Sequence, residues 1–156
     1  MFKPLTPKGY EGFAGNYRSP NPEFLAVNVK LGDGPWGTSF ELVDYMMSSL
    51  SKELESVDLS SLSDDPEAKI INYLTLAAYT VIKFISIHPY CDGNGHISRF
   101  ITCSFLMPNK LIPIRWSIEP RPIDYEYANS MISGIMKHDI KPLINYFIST
   151  FELPKN

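Results

Sequence analysis

Apolar residues recur every three or four positions along much of the chain, which is the spacing of an amphipathic helix. The first such segment runs from about 39 to 55, and its apolar face carries Leu42, Met46, Leu50 and Leu54. Thr38 with Glu41 three residues later has the pattern of a capping box, so we expect this pair to start the helix. The same spacing predicts helices over 97–107, 123–137 and 140–151, the last capped by Asp139.

The longest apolar stripe lies between residues 66 and 87. Asp65 is a suitable cap for this segment, and Pro66 is favourable in a first helical turn. Further apolar side chains lie around the rest of the circumference, among them Ile71, Tyr73 and Leu76. We therefore predict a central helix that other helices surround.

The first 37 residues have a different pattern, rich in Gly, Pro and Asn. One piece, Phe24 to Leu31, is strand-like, and a turn signal follows at Gly32 to Pro35. A Ser- and Asp-rich stretch over 56–65 predicts a loop. Together these patterns predict an all-α helical bundle with a small β-hairpin at about 23–36, as a single domain over residues 1–156.

Composition narrows the class of protein. The chain has 156 residues, is 44% hydrophobic and carries a net charge of -3, so we expect a protein with a real core and no attraction for nucleic acid or an anionic membrane. Its N-terminus lacks the apolar segment of a signal peptide, which predicts a cytoplasmic location. Cys91 and Cys103 are too few for a disulfide framework, and we expect free thiols.

The chemistry concentrates in one loop, His88-Pro-Tyr-Cys-Asp-Gly-Asn-Gly-His-Ile-Ser-Arg99. Gly93 and Gly95 can adopt positive φ, and a helix beginning after Gly95 would turn its free N–H groups and its dipole toward an anion. A histidine can take a proton near neutral pH, a carboxylate can hold a divalent cation, and an arginine can bind phosphate. His88, Asp92 and Arg99 therefore predict a site for transfer of a phosphorus-containing group.

These twelve residues resemble the signature of the Fic family, His-Pro-Phe-x-Asp/Glu-Gly-Asn-Gly-Arg-x-x-Arg. The sequence matches at His88, Pro89, at Asp92 to Gly95, and at Arg99. Tyr90 replaces the usual Phe, and His96 stands where the family has an arginine that helps to hold the diphosphate of the nucleotide.

The resemblance implies the Fic fold and transfer of AMP from ATP to a Tyr, Thr or Ser hydroxyl of a target protein. His88 would be the catalytic base, and Asp92 would hold Mg²⁺. The amides of Gly93 and Gly95 and the side chain of Asn94 would stabilise charge on the attacked phosphorus. Arg99, with His96 beside it, would bind the leaving phosphates. The protein would act in the cytoplasm, or after delivery into a host cell without a cleavable signal peptide.

The resemblance also assigns a role to the N-terminal hairpin. Gly15-Asn-Tyr-Arg18, followed by a short strand pair, is similar to the segment that leads into the Fic flap, which aligns a target by strand addition. The flap would be about 23–36, with Val27, Asn28 and Val29 as the docking residues. Many members are inhibited by a helix with the pattern Ser/Thr-x-x-x-Glu-Gly/Asn. No stretch here fits that pattern, so inhibition would come from a separate protein.

Other interpretations of the same residues remain open. His96 is compatible with a donor other than ATP, for transfer of UMP, phosphate or phosphocholine, and with a module that binds a nucleotide without catalysis. His88, Asp92 and His96 at intervals of four imitate a zinc site on a helix, which Pro89 and the glycines oppose. Asp92-Gly-Asn-Gly also has the start of a calcium loop but lacks the other oxygen ligands.

Overall fold

The computed structural model describes residues 8, 9, 11–58, 65–123 and 125–153. The described residues form the helices α1 (Val43–Glu55), α2 (Pro66–Ile87), α3 (Asn94–Leu106), α4 (Tyr125–Lys137) and α5 (Lys141–Thr150). They also form two short strands, β1 (Ile112–Pro113) and β2 (Phe151–Glu152). The predicted all-α class is confirmed. Most of the predicted loop over 56–65 lies outside the described residues.

Helix α2 is the centre of the bundle, as predicted, since it contacts α1, α3, α4 and α5. The Asp65 side chain caps it by accepting the Ala68 N–H at 3.1 Å, and Pro66 is its first residue. Its length and apolar composition alone would suffice to cross a membrane. Here Ala77, Ala78 and Val81 are fully buried in the bundle, so α2 packs as the core helix of a folded domain.

Two groups of buried side chains hold the helices together. The larger lies between α2, α4 and α5, where Trp116 makes edge contacts with the rings of Tyr127 and Phe147. The smaller joins α1 to the C-terminal end of α2 through Val43, Leu50, Phe84 and Ile87. That second group fixes the end of α2 on which the candidate loop begins.

The predicted capping box of Thr38 and Glu41 is wrong. Residues Phe40–Leu42 form a 3-10 turn, and the α-helix begins only at Val43. The side chain of Asn28 accepts the Phe40 N–H at 3.2 Å, so a distant segment supplies the cap. The backbone carbonyl of Thr38 is meanwhile bound by Arg18.

The predicted strand from Phe24 to Leu31 is also largely wrong. Glu23–Leu25 is a 3-10 turn, and pairing is limited to a bridge between Lys30 and Trp36. The backbone of Val27 is engaged elsewhere, because its N–H donates to Leu25 and its carbonyl accepts from Arg18. The turn at Gly32 to Pro35 is confirmed: the Leu31 N–H donates to the Pro35 carbonyl at 2.9 Å.

The C-terminal helix ends one residue earlier than predicted. Phe151 is extended, with φ -125° and ψ 149°, and belongs to β2, which pairs antiparallel with β1. Periodicity could not predict this pair, because each strand is only two residues long. Asp139 still supports the start of α5, since its carboxylate accepts the Lys141 N–H at 3.1 Å.

Candidate active site

His88 ends α2 in a left-handed conformation, with φ 53° and ψ 59°. Its N–H donates to the Phe84 carbonyl at 2.9 Å and closes the last turn. Pro89 follows and cannot continue the helix. The chain therefore turns sharply at His88 and leaves its half-buried imidazole at the mouth of the loop.

Arg18 is fully buried and holds this turn. Its guanidinium donates, at 2.8 or 2.9 Å, to the carbonyls of Val27, Thr38, Ile87 and His88. Its own N–H donates to the Pro89 carbonyl at 2.7 Å. A cation at the C-terminus of α2 also complements the helix dipole. Arg18 thus joins the flap, the entry to α1 and the candidate base in one arrangement.

The surroundings of His88 favour its neutral form. Burial of the imidazole lowers the pKa of His88 from its ordinary value of 6.5, and the positive charge of Arg18 acts in the same direction. The Ile85 carbonyl and the Asp92 charge oppose this shift only in part. Nδ1 is buried without a partner at hydrogen-bond geometry among the described residues. A neutral histidine is the form that can accept a proton.

The loop is closed by the side chain of Asn94, which is 1% exposed. Its Oδ1 accepts the Tyr90 N–H at 2.9 Å, and its Nδ2 donates to the Tyr90 carbonyl at 2.7 Å. Both polar atoms of the side chain therefore have partners within the loop. These bonds make Asn94 a residue that shapes the loop, and the predicted contact of its side chain with phosphate stays a prediction.

The two loop glycines have different functions. Gly93 has φ 81° and precedes α3, as expected of a glycine needed for a positive φ. A positive φ at Gly95 and a helix start after it are not observed, because α3 already begins at Asn94 and Gly95 lies in its first turn. A Cβ at Gly95 would lie 3.3 Å from Nη1 of Arg99, so its missing side chain leaves room for the guanidinium.

Tyr90 connects the loop to the N-terminal arm. Its ring contacts that of Tyr17 edge-on, with centroids 5.1 Å apart. Burial, with Tyr17 adding to it, raises the pKa of Tyr90. The aromatic ring at the position of the Fic motif's Phe therefore packs the loop against the N-terminal arm.

Asp92 is exposed beside the loop, and its Oδ1 accepts the Gly93 N–H at 2.6 Å. The second carboxylate oxygen retains acceptor capacity for a cation. Within the described residues, no group of three or more His, Cys, Asp or Glu side chains is placed to hold a metal by itself. His88 ends α2, Asp92 lies in the loop and His96 lies on α3, so the zinc interpretation of one helix face fails.

Arg99 and His96 lie on the first turns of α3, whose N-terminal N–H groups have no partners within the helix. The Arg99 side chain is only 9% exposed, and its Nε donates to the Ile118 carbonyl at 2.6 Å. Oε2 of Glu119 lies 3.6 Å from the Arg99 Nη2 and 3.3 Å from the His96 Nδ1. The N-terminal end of α3 thus carries the permanent charge of Arg99 and the imidazole of His96, with one carboxylate against both.

Comparison with known proteins decides the family. The family model for the Fic/DOC family matches residues 6–106. The chain belongs to the Fic/DOC family. A "Protein adenylyltransferase Fic" of Nematostella vectensis is 33% identical over 97 residues, covering 62% of the chain and 21% of that protein. One of Drosophila willistoni is 27% identical over 140 residues, covering 90% of the chain and 22% of that protein. The chain thus spans about a fifth of these relatives.

The fold is similar to that of a solved structure. The structure of BepC, a VirB-translocated Bartonella effector protein with bound AMPPNP from Bartonella tribocorum, aligns with a TM-score of 0.61 at 14% identity. The alignment covers 92% of this chain and 68% of that one. The helical bundle around α2 with its motif loop is therefore the Fic fold, as the sequence predicted.

The predicted flap segment continues into Gly37, which lies against the motif histidine. A Cβ at Gly37 would lie 3.2 Å from Cβ of His88 and 3.4 Å from Cγ2 of Val29, so a side chain there would press on both residues. Val29 uses its carbonyl to accept the Gly37 N–H at 2.9 Å, and Val27 uses its carbonyl for Arg18. Of the three predicted docking residues, Val27 and Asn28 are exposed and Val29 is partly buried.

Sequence analysis did not predict the contacts of three residues at this site. Arg18 was noticed only as part of the Fic segment before the flap, although a lone arginine among Gly and Asn was a usable signal. Tyr17 had no signal of its own, because its role depends on Tyr90. Glu119, in the Pro-rich connection after β1, reaches the motif only through the tertiary fold.

Proposed function

We propose that this Fic domain, acting as one unit over residues 1–156, transfers AMP from ATP to a Tyr, Thr or Ser hydroxyl of a target protein. One observation carries the proposal. The candidate base and the cationic start of α3 lie at the same end of the α2–α3 pair, joined by a loop that Asn94 and Tyr90 close. The name "protein adenylyltransferase" of the relatives in Nematostella and Drosophila supports the choice of group.

His88 would act as the general base. Its Nδ1 is buried, which leaves Nε2 as the ring nitrogen for the acceptor hydroxyl. In the transfer, His88 takes the hydroxyl proton as the acceptor oxygen forms a bond to the α-phosphorus. The bond from that phosphorus to the β-phosphate oxygen breaks, and pyrophosphate leaves. The lowered pKa of His88 keeps the base neutral at physiological pH.

The start of α3 would hold the donor phosphates. Its free N–H groups and dipole favour an anion, and Gly95 lets an anion approach the backbone. The Arg99 guanidinium would bind the phosphates that leave, with His96 at the more exposed side. Asn94 would contribute by holding the loop that presents these groups. The bound AMPPNP of the Bartonella neighbour supports a nucleotide on this fold.

Mg²⁺ fits the residues present only in combination with a donor. Asp92 offers one exposed carboxylate, and Mg²⁺ in phosphoryl-transfer sites is commonly held by one or two carboxylates together with substrate phosphates and water. Asp92 would therefore bind the ion when the nucleotide is present. The ion would supply charge neutralisation of the phosphates.

The flap would position the target. Asn28, which is exposed, would pair its backbone with an extended segment of the target, and the exposed side chain of Val27 would contact that segment. Because the same part of the chain continues into Gly37, which lies against His88, a docked target would have its hydroxyl brought toward the base. A separate inhibitory protein could compete for the same surface.

A second donor class is favoured by one observation. The Fic motif has two arginines here. This chain has Arg99 and His96 at those positions, with the carboxylate of Glu119 against both. The lower positive charge at this end suits a donor with fewer phosphate charges, such as a nucleoside diphosphate ester. A CDP-linked donor would transfer phosphocholine in this way, and a UDP-linked donor would transfer UMP, in place of AMP from ATP.

The test is a transfer assay with His88→Ala. Wild type is incubated with lysate proteins, Mg²⁺ and ATP labelled in its α-phosphate, and then with UTP and CDP-linked donors labelled in the group to be transferred. His88→Ala should bind nucleotide normally and lose transfer by a factor on the order of 10² or more. His138→Ala is the matched control, because His138 also has a positive φ after a helix but is exposed and away from the loop.

Two results would contradict the proposal. Equal transfer by wild type and His88→Ala would remove the base assignment. Nucleotide binding without transfer from any donor would favour a binding module over an enzyme.

A further inference from the structure

Glu119 places a negative charge against Arg99 and His96, the two side chains that we propose bind the donor phosphates. Its Oε2 lies 3.3 Å from the His96 Nδ1 and 3.6 Å from the Arg99 Nη2. The Glu119 side chain is 67% exposed and that of Arg99 is 9% exposed, so the carboxylate covers the buried guanidinium from the solvent side.

The carboxylate is not needed to hold Arg99 in place. The Arg99 Nε donates to the Ile118 carbonyl at 2.6 Å, and this backbone bond fixes the guanidinium independently of the next side chain. Glu119 is largely exposed, so water and salt screen its attraction for Arg99 and limit what the pair contributes to stability. Glu119 therefore acts mainly on what else can bind to Arg99 and His96.

A carboxylate at this position affects phosphates unequally. A terminal phosphate carries a charge of about -1.5 to -2 at pH 7, since its second pKa is near 6. A phosphate esterified on both sides carries a single charge. Glu119 therefore repels a terminal phosphate more strongly than an esterified one. This difference in repulsion is larger than it would be in free solution, because the fold partly shields the site from water.

We propose that Glu119 is a specificity-determining residue of the donor site, which disfavours a terminal phosphate next to Arg99 and favours a diphosphate esterified at both ends. This inference rests on the second donor class of the proposed function: it requires that the loop bind a nucleotide donor, and it favours a diphosphate ester over ATP. The preferred donor class is a nucleoside diphosphate linked to an alcohol or a sugar.

The experiment compares ADP with ADP-ribose, which share adenosine and two phosphates and differ in whether the second phosphate is terminal. Binding of each to the whole chain is measured by calorimetry with Mg²⁺, for wild type, Glu119→Gln and Glu119→Asp. Glu119→Gln should raise the affinity for ADP about threefold to tenfold and that for ADP-ribose much less. Glu119→Asp, which withdraws the charge, should show a smaller gain in the same direction.

Glu126→Gln is the control, because it removes an equal charge from an exposed glutamate in the first turn of α4. It should leave both affinities unchanged. An equal gain for ADP and ADP-ribose in Glu119→Gln, or no gain for either, would overturn the specificity role while leaving nucleotide binding intact. Failure of both ligands and of ATP to bind any of the proteins would instead remove the proposed function, and this inference with it.

Discussion

The guanidinium of Arg18 donates to the backbone carbonyl of His88 at 2.8 Å, across 70 positions of sequence. The same group holds the carbonyl of Val27 on the flap segment. The candidate base and the candidate docking segment therefore share one buried anchor. Movement of either would require a bond of Arg18 to break, so the two parts of the site are positioned together.

Substitution of Arg18 should lower the stability of the protein. Arg18→Lys keeps the charge but lacks the planar fork, so it cannot reach all four carbonyls. We expect the free energy of unfolding to fall by about 2 to 5 kcal/mol, as for loss of buried charged hydrogen bonds. Denaturant unfolding monitored by circular dichroism measures it.

Arg115→Lys is the control for this prediction, because Arg115 is exposed and makes a single side-chain bond, to the Ser149 carbonyl. It should change the free energy of unfolding only slightly. If Arg18→Lys is as stable as this control, the anchor role is wrong.

The pH dependence of transfer follows from the lowered pKa of His88. Neutral His88 is the active base, so the acid limb of kcat/KM should be centred below the ordinary value of 6.5. The unfolded chain binds this proton more readily than the folded one. The free energy of unfolding should therefore also decrease as the pH falls below 6.5.

A pH–rate profile, with parallel unfolding measurements on wild type and His88→Ala, tests both parts. The decrease in stability below pH 6.5 should be smaller in His88→Ala, which has no imidazole at this position. An acid limb centred above pH 6.5 would show that the pKa of the base is raised, contrary to the structure.

The sequence predicted the elements that local residue patterns determine. It did not predict the elements whose conformation depends on contacts between distant parts of the chain. Helix α2 was predicted with its cap because Asp65, Pro66 and the apolar stripe are all local signals. The strand from Phe24 failed because Arg18 binds the Val27 carbonyl, and the start of α1 failed because Asn28 supplies the cap. The motif located the candidate site, but the partner of Arg99 could not be predicted from it.

The loop closure by Asn94 can be tested without removing its bulk. Asn94→Asp keeps an acceptor for the Tyr90 N–H but places a second oxygen against the Tyr90 carbonyl. The buried repulsion should cost about 1 to 3 kcal/mol of stability and weaken nucleotide binding, because the loop no longer closes. Thermal unfolding and calorimetry with ATP measure the two effects.

Asn145→Asp, at an exposed position of α5, provides the comparison and should change neither quantity much. Unchanged stability and affinity in Asn94→Asp would mean that the two bonds to Tyr90 do not hold the loop.

The final prediction concerns His96, where the Fic motif has an arginine. An imidazole offers at most two donors, whereas a guanidinium offers a permanent charge and a planar fork. In His96→Arg, the introduced group and Arg99 would together outweigh the single carboxylate of Glu119. Transfer of AMP from ATP should then rise, with a gain of about 1 to 3 kcal/mol in transition-state stabilisation.

The measurement is kcat/KM with ATP, UTP and CDP-linked donors for wild type and His96→Arg side by side. His138→Arg adds the same charge at an exposed position after α4 and should leave every donor unchanged. If the natural donor is another diphosphate compound, His96→Arg should instead lower kcat/KM for that donor, because the larger cation would enter the space of its ester group. Loss of one such donor without improved AMP transfer would therefore reject ATP as the natural donor and leave the diphosphate ester in its place.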